Sequence, residues 1–143
     1  MSFNLLIVDD SSSMRSVVKK IVGLSGVGVN RLLEAENGLR ALEVMGGNWV
    51  DAVILDINMP EMNGLELLRR MSEDALMQNI PVVMMSTEAG EAHMKTAIEL
   101  GAKGFIRKPF LPEEVRKMLL GALGFDEKGD YGERERDPGG VDF

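Results

Sequence analysis

Residues 52–68 read AVILDINMPEMNGLELL. The first five form an apolar run that ends in Asp56, which is typical of a strand buried on both faces of a parallel sheet. A loop that contains Pro60 follows, and an amphipathic helix is predicted to begin at Gly64. The stretch therefore predicts one strand–loop–helix unit of an α/β fold.

The same alternation extends in both directions along the chain. Further strands are predicted at residues 4–9, 31–35, 81–86 and 104–107. Further helices are predicted at residues 12–24, from 38 to the Gly-Gly pair at 46–47, at 89–100 and at 112–123. Five such units predict a doubly wound five-stranded parallel sheet with helices on both faces. The strand order 2-1-3-4-5 is one common arrangement, and ligands bind beyond the carboxyl ends of its strands.

The composition excludes several classes of function. The chain has 143 residues, enough for one domain, and its 23 acidic against 16 basic residues give a net charge of −7. This charge argues against direct nucleic-acid binding and against docking on an anionic membrane. The absence of cysteine excludes thiolate chemistry, and the single histidine excludes a multi-histidine metal site. No apolar run is long enough to insert into a membrane, so we expect a cytoplasmic protein.

The chain is predicted to divide into a domain and a tail. Residues 1–123 carry the strand and helix patterns, whereas residues 124–143 read GFDEKGDYGERERDPGGVDF and show no period. Seven of these twenty residues are acidic and three are basic, which predicts a flexible acidic C-terminal tail. A partner-binding segment built on Tyr131 or Phe143 is the alternative.

Polar side chains follow the carboxyl ends of four predicted strands. Asp9 and Asp10 lie at the end of the first strand, and Asp56 ends the third. Ser86 ends the fourth strand, and Lys108 follows the fifth. In the order 2-1-3-4-5 these four strands are neighbours, so we expect the five side chains to converge on one edge of the sheet.

The chemistry of this set fits phosphoryl transfer. Two carboxylates 4 Å apart repel each other by about 4 kcal/mol at an effective dielectric constant near 20. Bound Mg²⁺ removes this repulsion, and it accepts carboxylates together with water and phosphate oxygens. An ammonium and a hydroxyl can hold the oxygens of a phosphoryl group while a carboxylate acts as the nucleophile.

At these positions the sequence resembles the receiver domain of bacterial two-component response regulators, and it is most similar to the single-domain chemotaxis type. The resemblance spans residues 3–123. Its motifs are LLIVDDS at 5–11, EAENG at 34–38, VILDINMPEMNGLELL at 53–68, PVVMMST at 81–87 and GAKGFIRKPF at 101–110. The resemblance implies the flavodoxin-like receiver fold, whose strand order is the one given above.

The resemblance also implies a role for each acidic residue. Asp56 matches the phospho-accepting aspartate, and Asp10 matches the direct Mg²⁺ ligand. Asp9 matches the acidic neighbour that binds the metal largely through water, and the backbone carbonyl of Asn58 matches a third protein ligand. Asn58 and Glu88 match the two positions that tune the lifetime of the phosphoryl group.

The remaining motif positions match the switch of the family. Ser86 matches the switch hydroxyl, and Phe105 matches the aromatic switch residue, although it lacks the tyrosine hydroxyl that is common in chemotaxis members. Lys108 matches the phosphate-binding lysine, and its bond to Pro109 is typically cis in the family.

By this resemblance the chain is a stand-alone phosphoacceptor in signalling and not an enzyme. It takes a phosphoryl group from a sensor histidine kinase, and the surface of the fourth helix, fifth strand and fifth helix then binds a downstream target protein. The chemotaxis resemblance makes the flagellar motor switch a candidate target. A phosphorelay intermediate that passes the group to a histidine phosphotransfer protein, and a pseudo-receiver that only binds partners, remain open alternatives.

Two rival families fit the residues less well. A haloacid dehalogenase phosphatase needs a second aspartate two residues after its nucleophile, and Asn58 occupies that position. A flavodoxin would hold the flavin phosphate in its first loop, where Asp9 and Asp10 would repel it.

Overall fold

Strands and helices alternate along the chain. The structure is a computed structural model, and it describes residues 2–60, 62–86 and 91–125, with no description of the Glu91 side chain. The elements are β1 (Phe3–Val8), α1 (Ser12–Ser25), β2 (Val29–Ala35), α2 (Gly38–Gly47), β3 (Ala52–Asp56), α3 (Gly64–Ser72), β4 (Val82–Ser86), α4 (Glu91–Glu99), β5 (Gly104–Arg107) and α5 (Pro112–Leu123). No described helix combines the length and apolar character needed to cross a bilayer.

The strands form one parallel sheet in the order β2-β1-β3-β4-β5. This result confirms the fold class and the strand order predicted from the sequence. β2 begins at Val29, two residues before the predicted start at residue 31. Because β2 lies at the sheet edge, its residues Asn30 and Arg31 are exposed, and the apolar pattern there is too weak to mark the start.

The sheet buries an apolar layer on each face. On one face Leu6 and Leu55 pack beneath α2, α3 and α4. On the other face Leu5 and Ile54 pack beneath α1 and α5. All four side chains are at most 1% exposed. Burial on both faces explains why these strands appear in the sequence as continuous apolar runs rather than as alternating ones.

Side-chain caps begin three helices close to the carboxyl ends of the strands before them. Ser11 Oγ accepts a hydrogen bond from the Met14 backbone N–H at 3.1 Å, at the start of α1. Asn37 and Asn63 cap α2 and α3 in the same way, with N···O distances of 2.7 and 2.9 Å. These caps satisfy backbone donors that the helices themselves leave unpaired.

The packed body extends slightly beyond its predicted end. The Phe125 ring is only 8% exposed and meets the Phe3 ring edge-on, with centroids 5.7 Å apart. Phe125, the second residue of the predicted tail, thus packs against Phe3 at the start of β1, while the division of the chain into a domain and a flexible tail stays a prediction. Residues 126–143 lie outside the described part of the chain, as do residues 89 and 90 of the predicted fourth helix.

Candidate functional site

Three carboxylates gather at the carboxyl edge of the sheet. Each of Asp9, Asp10 and Asp56 contributes an oxygen, and these oxygens all lie within 4.8 Å of one another. The pairing of β1 with β3 aligns Val8 with Leu55, so the residues that follow them, Asp9 and Asp56, come to the same level of the sheet. Asp9 and Asp56 are 2% and 5% exposed, whereas Asp10 is exposed to solvent. The cluster therefore has two buried carboxylates and one at its mouth.

Lys108 joins two of these carboxylates. Its Nζ lies 3.3 Å from Asp9 Oδ2 and 3.3 Å from Asp56 Oδ1, and its side chain is 11% exposed. The Lys108 backbone N–H donates to the Ser86 carbonyl at 2.8 Å, and the Lys108–Pro109 peptide bond is cis. Lys108 thus contacts two of the three carboxylates in the cluster. Among the described residues, the three carboxylates outnumber this one ammonium.

The Asp56 carboxyl is poorly solvated. Burial raises its pKa, and the neighbouring Asp9 carboxylate raises it further. The Lys108 ammonium and the backbone N–H of Asn58 act in the opposite direction because they stabilise the charged form. The net result is a raised pKa, as expected for a carboxylate that has lost much of its water.

Asp9 is held by the backbone around it. Its Oδ1 accepts a hydrogen bond from the Ser11 N–H at 2.9 Å, while its Oδ2 faces Lys108. Its own N–H donates to the Ala35 carbonyl of the edge strand at 3.1 Å. Both carboxylate oxygens of Asp9 are therefore engaged within the protein, whereas Asp10 presents its carboxylate to solvent.

Ser86 and Phe105 lie on neighbouring strands and on the same face of the sheet. Ser86 ends β4 and is fully buried. Phe105 pairs with Met84, two residues before Ser86, so the alternation of side chains directs Ser86 and Phe105 to one side. Phe105 is half-buried and packs against the apolar layer that includes Ala97 of α4.

The structure describes one of the two positions predicted to tune the phosphoryl lifetime. Asn58 is exposed, two residues beyond Asp56, at the mouth of the site. Glu88 lies outside the described residues.

Sequence reasoning missed three residues that support the site. Gly64 packs on the backbone of Asp56, and Arg15 joins the Asp9 carbonyl to Glu34. The signals present were a glycine at a predicted helix start and an acidic residue within an apolar strand. Neither signal identifies its distant contact, because that contact depends on how α1 and α3 lie on the sheet.

The carboxylate cluster fits a hard divalent cation such as Mg²⁺. Oxygen ligands are what Mg²⁺ prefers, and one or two carboxylates with water and phosphate oxygens complete its shell. The three converging oxygens and the exposed Asp10 provide these ligands and access from solvent.

Comparison with known proteins identifies the family. The model of the response regulator receiver domain matches residues 5–120. This chain belongs to that family. The receiver domain is 41% identical over 124 residues to the chemotaxis protein CheY1 of Helicobacter pylori, which covers 86% of this chain and 98% of that protein. It is 40% identical over 121 residues to the chemotaxis protein CheY homolog of Campylobacter jejuni. That alignment covers 84% of this chain and 92% of the Campylobacter protein.

A solved structure has the same fold as this receiver domain. The chemotaxis protein CheY4 of Vibrio cholerae superposes with a TM-score of 0.77 at 30% sequence identity. The match covers 86% of this chain and all of that one. The receiver domain is therefore homologous to chemotaxis response regulators.

Proposed function

We propose that this receiver domain is a response regulator that accepts a phosphoryl group on Asp56 in the presence of Mg²⁺. The observation that carries the proposal is the position of Asp56. Its buried carboxylate lies at the end of β3, 3.3 Å from the Lys108 ammonium and beside Asp9 and Asp10. A nucleophile, a cation and a set of metal ligands are thus within reach of one phosphoryl group.

The proposed transfer is a displacement at phosphorus. An Asp56 carboxylate oxygen attacks the phosphorus of a phosphohistidine on a sensor histidine kinase, and a P–O bond forms as the P–N bond breaks. The electron pair of the P–N bond goes to the imidazole nitrogen, and the leaving group is neutral histidine when its other ring nitrogen carries a proton. Mg²⁺ held by Asp9, Asp10, Asp56 and the backbone carbonyl of Asn58 would neutralise charge on the phosphoryl oxygens.

Lys108 and Ser86 would hold the transferred group. Before transfer the Lys108 ammonium is shared between Asp9 and Asp56 at equal distances. After transfer it would pair with a phosphoryl oxygen, since that oxygen carries more negative charge than the carbonyl oxygen of the Asp56 acyl phosphate. Ser86 is buried at the end of β4, the strand next to β3. Its hydroxyl would donate a hydrogen bond to another phosphoryl oxygen.

Strands β4 and β5 would carry the signal to a partner. Ser86 and Phe105 lie on one face of the sheet, so movement of Ser86 toward the phosphoryl group would free space for Phe105 to turn inward. The surface formed by α4, β5 and α5 would then change its shape and gain affinity for a downstream target protein. The homology to chemotaxis proteins makes the flagellar motor switch a candidate target.

The kinase would approach over an apolar groove beside the site. Met14, Val17 and Ile21 of α1 form one wall, and Lys108, Pro109 and Phe110 form the other. Val17 is 48% exposed. Because Lys108 belongs to both the groove and the site, a helix seated in the groove would bring its phosphohistidine close to Asp56.

Intact-mass spectrometry tests the phosphoacceptor function. The protein would be incubated with acetyl phosphate, with Mg²⁺ or with EDTA. The expected result is a gain of one phosphoryl mass that requires Mg²⁺ and disappears in Asp56→Asn. Asp51→Asn is the matched control, because Asp51 precedes the other end of β3, where its carboxylate bonds to Asn4 and Trp49. No gain with acetyl phosphate or with a purified phosphorylated kinase would contradict the proposal and favour a pseudo-receiver.

A further inference from the structure

Arg15 connects the acidic cluster to the edge of the sheet. Its Nη1 donates a hydrogen bond to the backbone carbonyl of Asp9 at 2.7 Å. Its Nε donates to Glu34 Oε1 at 2.8 Å. The Arg15 side chain is only 15% exposed, whereas the Glu34 side chain is 34% exposed. One guanidinium therefore joins the end of β1 to a side chain of β2.

Glu34 fixes the other end of this connection. It lies on β2 opposite Ile7, and the next pair along the register is Val8 with Ala35. Lys19, one turn after Arg15 on α1, donates to Glu34 Oε2 at 2.8 Å. Both carboxylate oxygens of Glu34 are thus occupied by α1, and hydrogen bonds from Lys19 and Arg15 lower the pKa of Glu34. Glu34 is therefore ionised at neutral pH and holds Arg15 in one orientation.

The carbonyl that Arg15 holds belongs to the peptide between Asp9 and Asp10. Because a peptide unit is planar, fixing its oxygen also fixes the direction in which the chain enters Asp10. The Asp9 N–H bond to Ala35 and the Ser11 N–H bond to Asp9 Oδ1 fix the units before and after it. Arg15 thus constrains the one peptide that links two of the three converging carboxylates.

We propose that Arg15, held by Glu34, is a positioning residue for the cation site: it orients the Asp9–Asp10 peptide so that both carboxylates converge with Asp56 on a divalent cation. This inference rests on the proposed function, since it assigns a role within the same site. It adds two residues, Arg15 and Glu34, that act on the metal through Asp9 and Asp10 and do not themselves bind it.

The positive charge of Arg15 separates positioning from simple electrostatics, because the two predict opposite changes in Mg²⁺ affinity when Arg15 is removed. A guanidinium near a cation site repels the cation, so its removal would tighten Mg²⁺ binding if charge alone mattered. Positioning predicts weaker Mg²⁺ binding instead. Without the Arg15 bond, the Asp9–Asp10 peptide is free to move, and the metal must then order it at a cost in conformational entropy.

Isothermal titration of the full chain with MgCl₂ tests the proposal. Arg15→Met is expected to weaken Mg²⁺ binding roughly ten-fold, the lower end of the range for residues that orient metal ligands. Glu34→Gln is expected to weaken it less, because Arg15 keeps its bond to Asp9. The double variant is expected to match Arg15→Met alone, since Glu34 acts through Arg15. Lys20→Met is the charge control: it removes an exposed cation from the same helix and should not weaken binding.

Unchanged or tighter Mg²⁺ binding by Arg15→Met would overturn the proposal. A separate effect of Glu34→Gln in the Arg15→Met background would overturn the role assigned to Glu34. Far-UV circular dichroism and urea unfolding without metal would accompany each titration, and Arg15→Lys provides a milder variant if Arg15→Met does not fold. A loss of stability without a change in Mg²⁺ affinity would mean a structural role only, and would also overturn the proposal.

The wild-type protein separates this inference from the proposed function. If wild type neither binds Mg²⁺ nor accepts a phosphoryl group, the proposed function fails and this inference fails with it. If wild type does both and Arg15→Met binds Mg²⁺ equally well, the inference alone fails.

Discussion

Gly64 lies directly against the backbone of Asp56. A methyl group on Gly64 would overlap the Asp56 carbonyl oxygen and would lie 2.8 Å from the Cα of Ile57. The Gly64 N–H also donates to the Ile57 carbonyl at 2.8 Å. The first residue of α3 therefore closes the loop that begins at Asp56, and any larger residue there must move either the helix or the strand end.

Gly64→Ala is expected to lower the free energy of unfolding by about 2 kcal/mol, within the range for forcing atoms into a packed region. It is also expected to slow phosphorylation by acetyl phosphate, because the end of β3 shifts. Urea unfolding and intact-mass kinetics would measure the two effects.

Gly46→Ala is the matched control for Gly64→Ala. Gly46 also lies in a helix, but a methyl group there meets no atom within 4 Å. This substitution is expected to leave phosphorylation unchanged and to stabilise the protein by about 0.5–1 kcal/mol, the usual gain from alanine over glycine in a helix. Equal effects of the two substitutions would show that the contact between Gly64 and Asp56 is unimportant.

Mg²⁺ is expected to stabilise the wild-type protein. At a concentration ten times its dissociation constant, a ligand that binds only the folded state adds about 1.4 kcal/mol. Asp10→Asn is expected to lose most of this gain because Asp10 is the exposed carboxylate of the cluster. Thermal unfolding over a series of MgCl₂ concentrations measures the gain. A full gain in Asp10→Asn, equal to that in Asp51→Asn, would argue against the assigned site.

In metal-free buffer, Asp56→Asn is expected to be more stable than wild type at neutral pH. Burial raises the pKa of Asp56, so the folded protein ionises this carboxyl less readily than the unfolded chain does. Wild type therefore loses stability relative to Asp56→Asn as the pH rises through the carboxyl range, and the difference should shrink as the pH falls. Urea unfolding in EDTA at several pH values tests this; greater stability of wild type at neutral pH would contradict it.

Glu34→Gln is expected to change the free energy of unfolding in the opposite direction to Asp56→Asn in the same experiment. Hydrogen bonds from Lys19 and Arg15 lower the pKa of Glu34, so its contribution to stability is present above the ordinary carboxyl pKa. That contribution is lost as the pH falls through the lowered pKa. Glu34→Gln should thus be less stable than wild type at neutral pH, and this difference should also fade on acidification.

Val17→Glu is expected to slow phosphotransfer from a kinase at least several-fold, because it places a charge in the apolar groove beside Lys108. Its reaction with acetyl phosphate should be unchanged, since the small donor needs no groove. Leu24→Glu is the control: Leu24 is 67% exposed on the same helix and does not line the groove. The comparison uses the phosphorylated kinase that transfers fastest to wild type. Equal slowing by both substitutions would place the kinase elsewhere.

The sequence predicted the sheet more fully than it predicted the contacts around the site. Central strands such as β3 are buried on both faces, so their bounds follow from the apolar runs, while the polar start of the edge strand β2 does not. The convergence of Asp9, Asp56 and Lys108 follows from strand order alone, because carboxyl ends of neighbouring parallel strands share an edge.

The contacts that support the site depend on tertiary placement. Arg15 meets Glu34 only because α1 lies across β1 and β2 with that face inward, and the two residues are 19 positions apart. Gly64 meets Asp56 because α3 begins against the end of β3. Periodicity describes which face of a helix is apolar but not which distant backbone atom its first residue will touch.

The most direct test of the central claim is to identify the residue that carries the phosphoryl group. The protein would be phosphorylated with acetyl phosphate and Mg²⁺ and then treated with sodium borodeuteride, which reduces an aspartyl phosphate to deuterium-labelled homoserine. Peptide mass spectrometry would locate the label. We expect the label at Asp56 alone, and none after omission of Mg²⁺. A label at Asp9 or Asp10 instead of Asp56, or a phosphorylated protein with no labelled aspartate, would contradict the account.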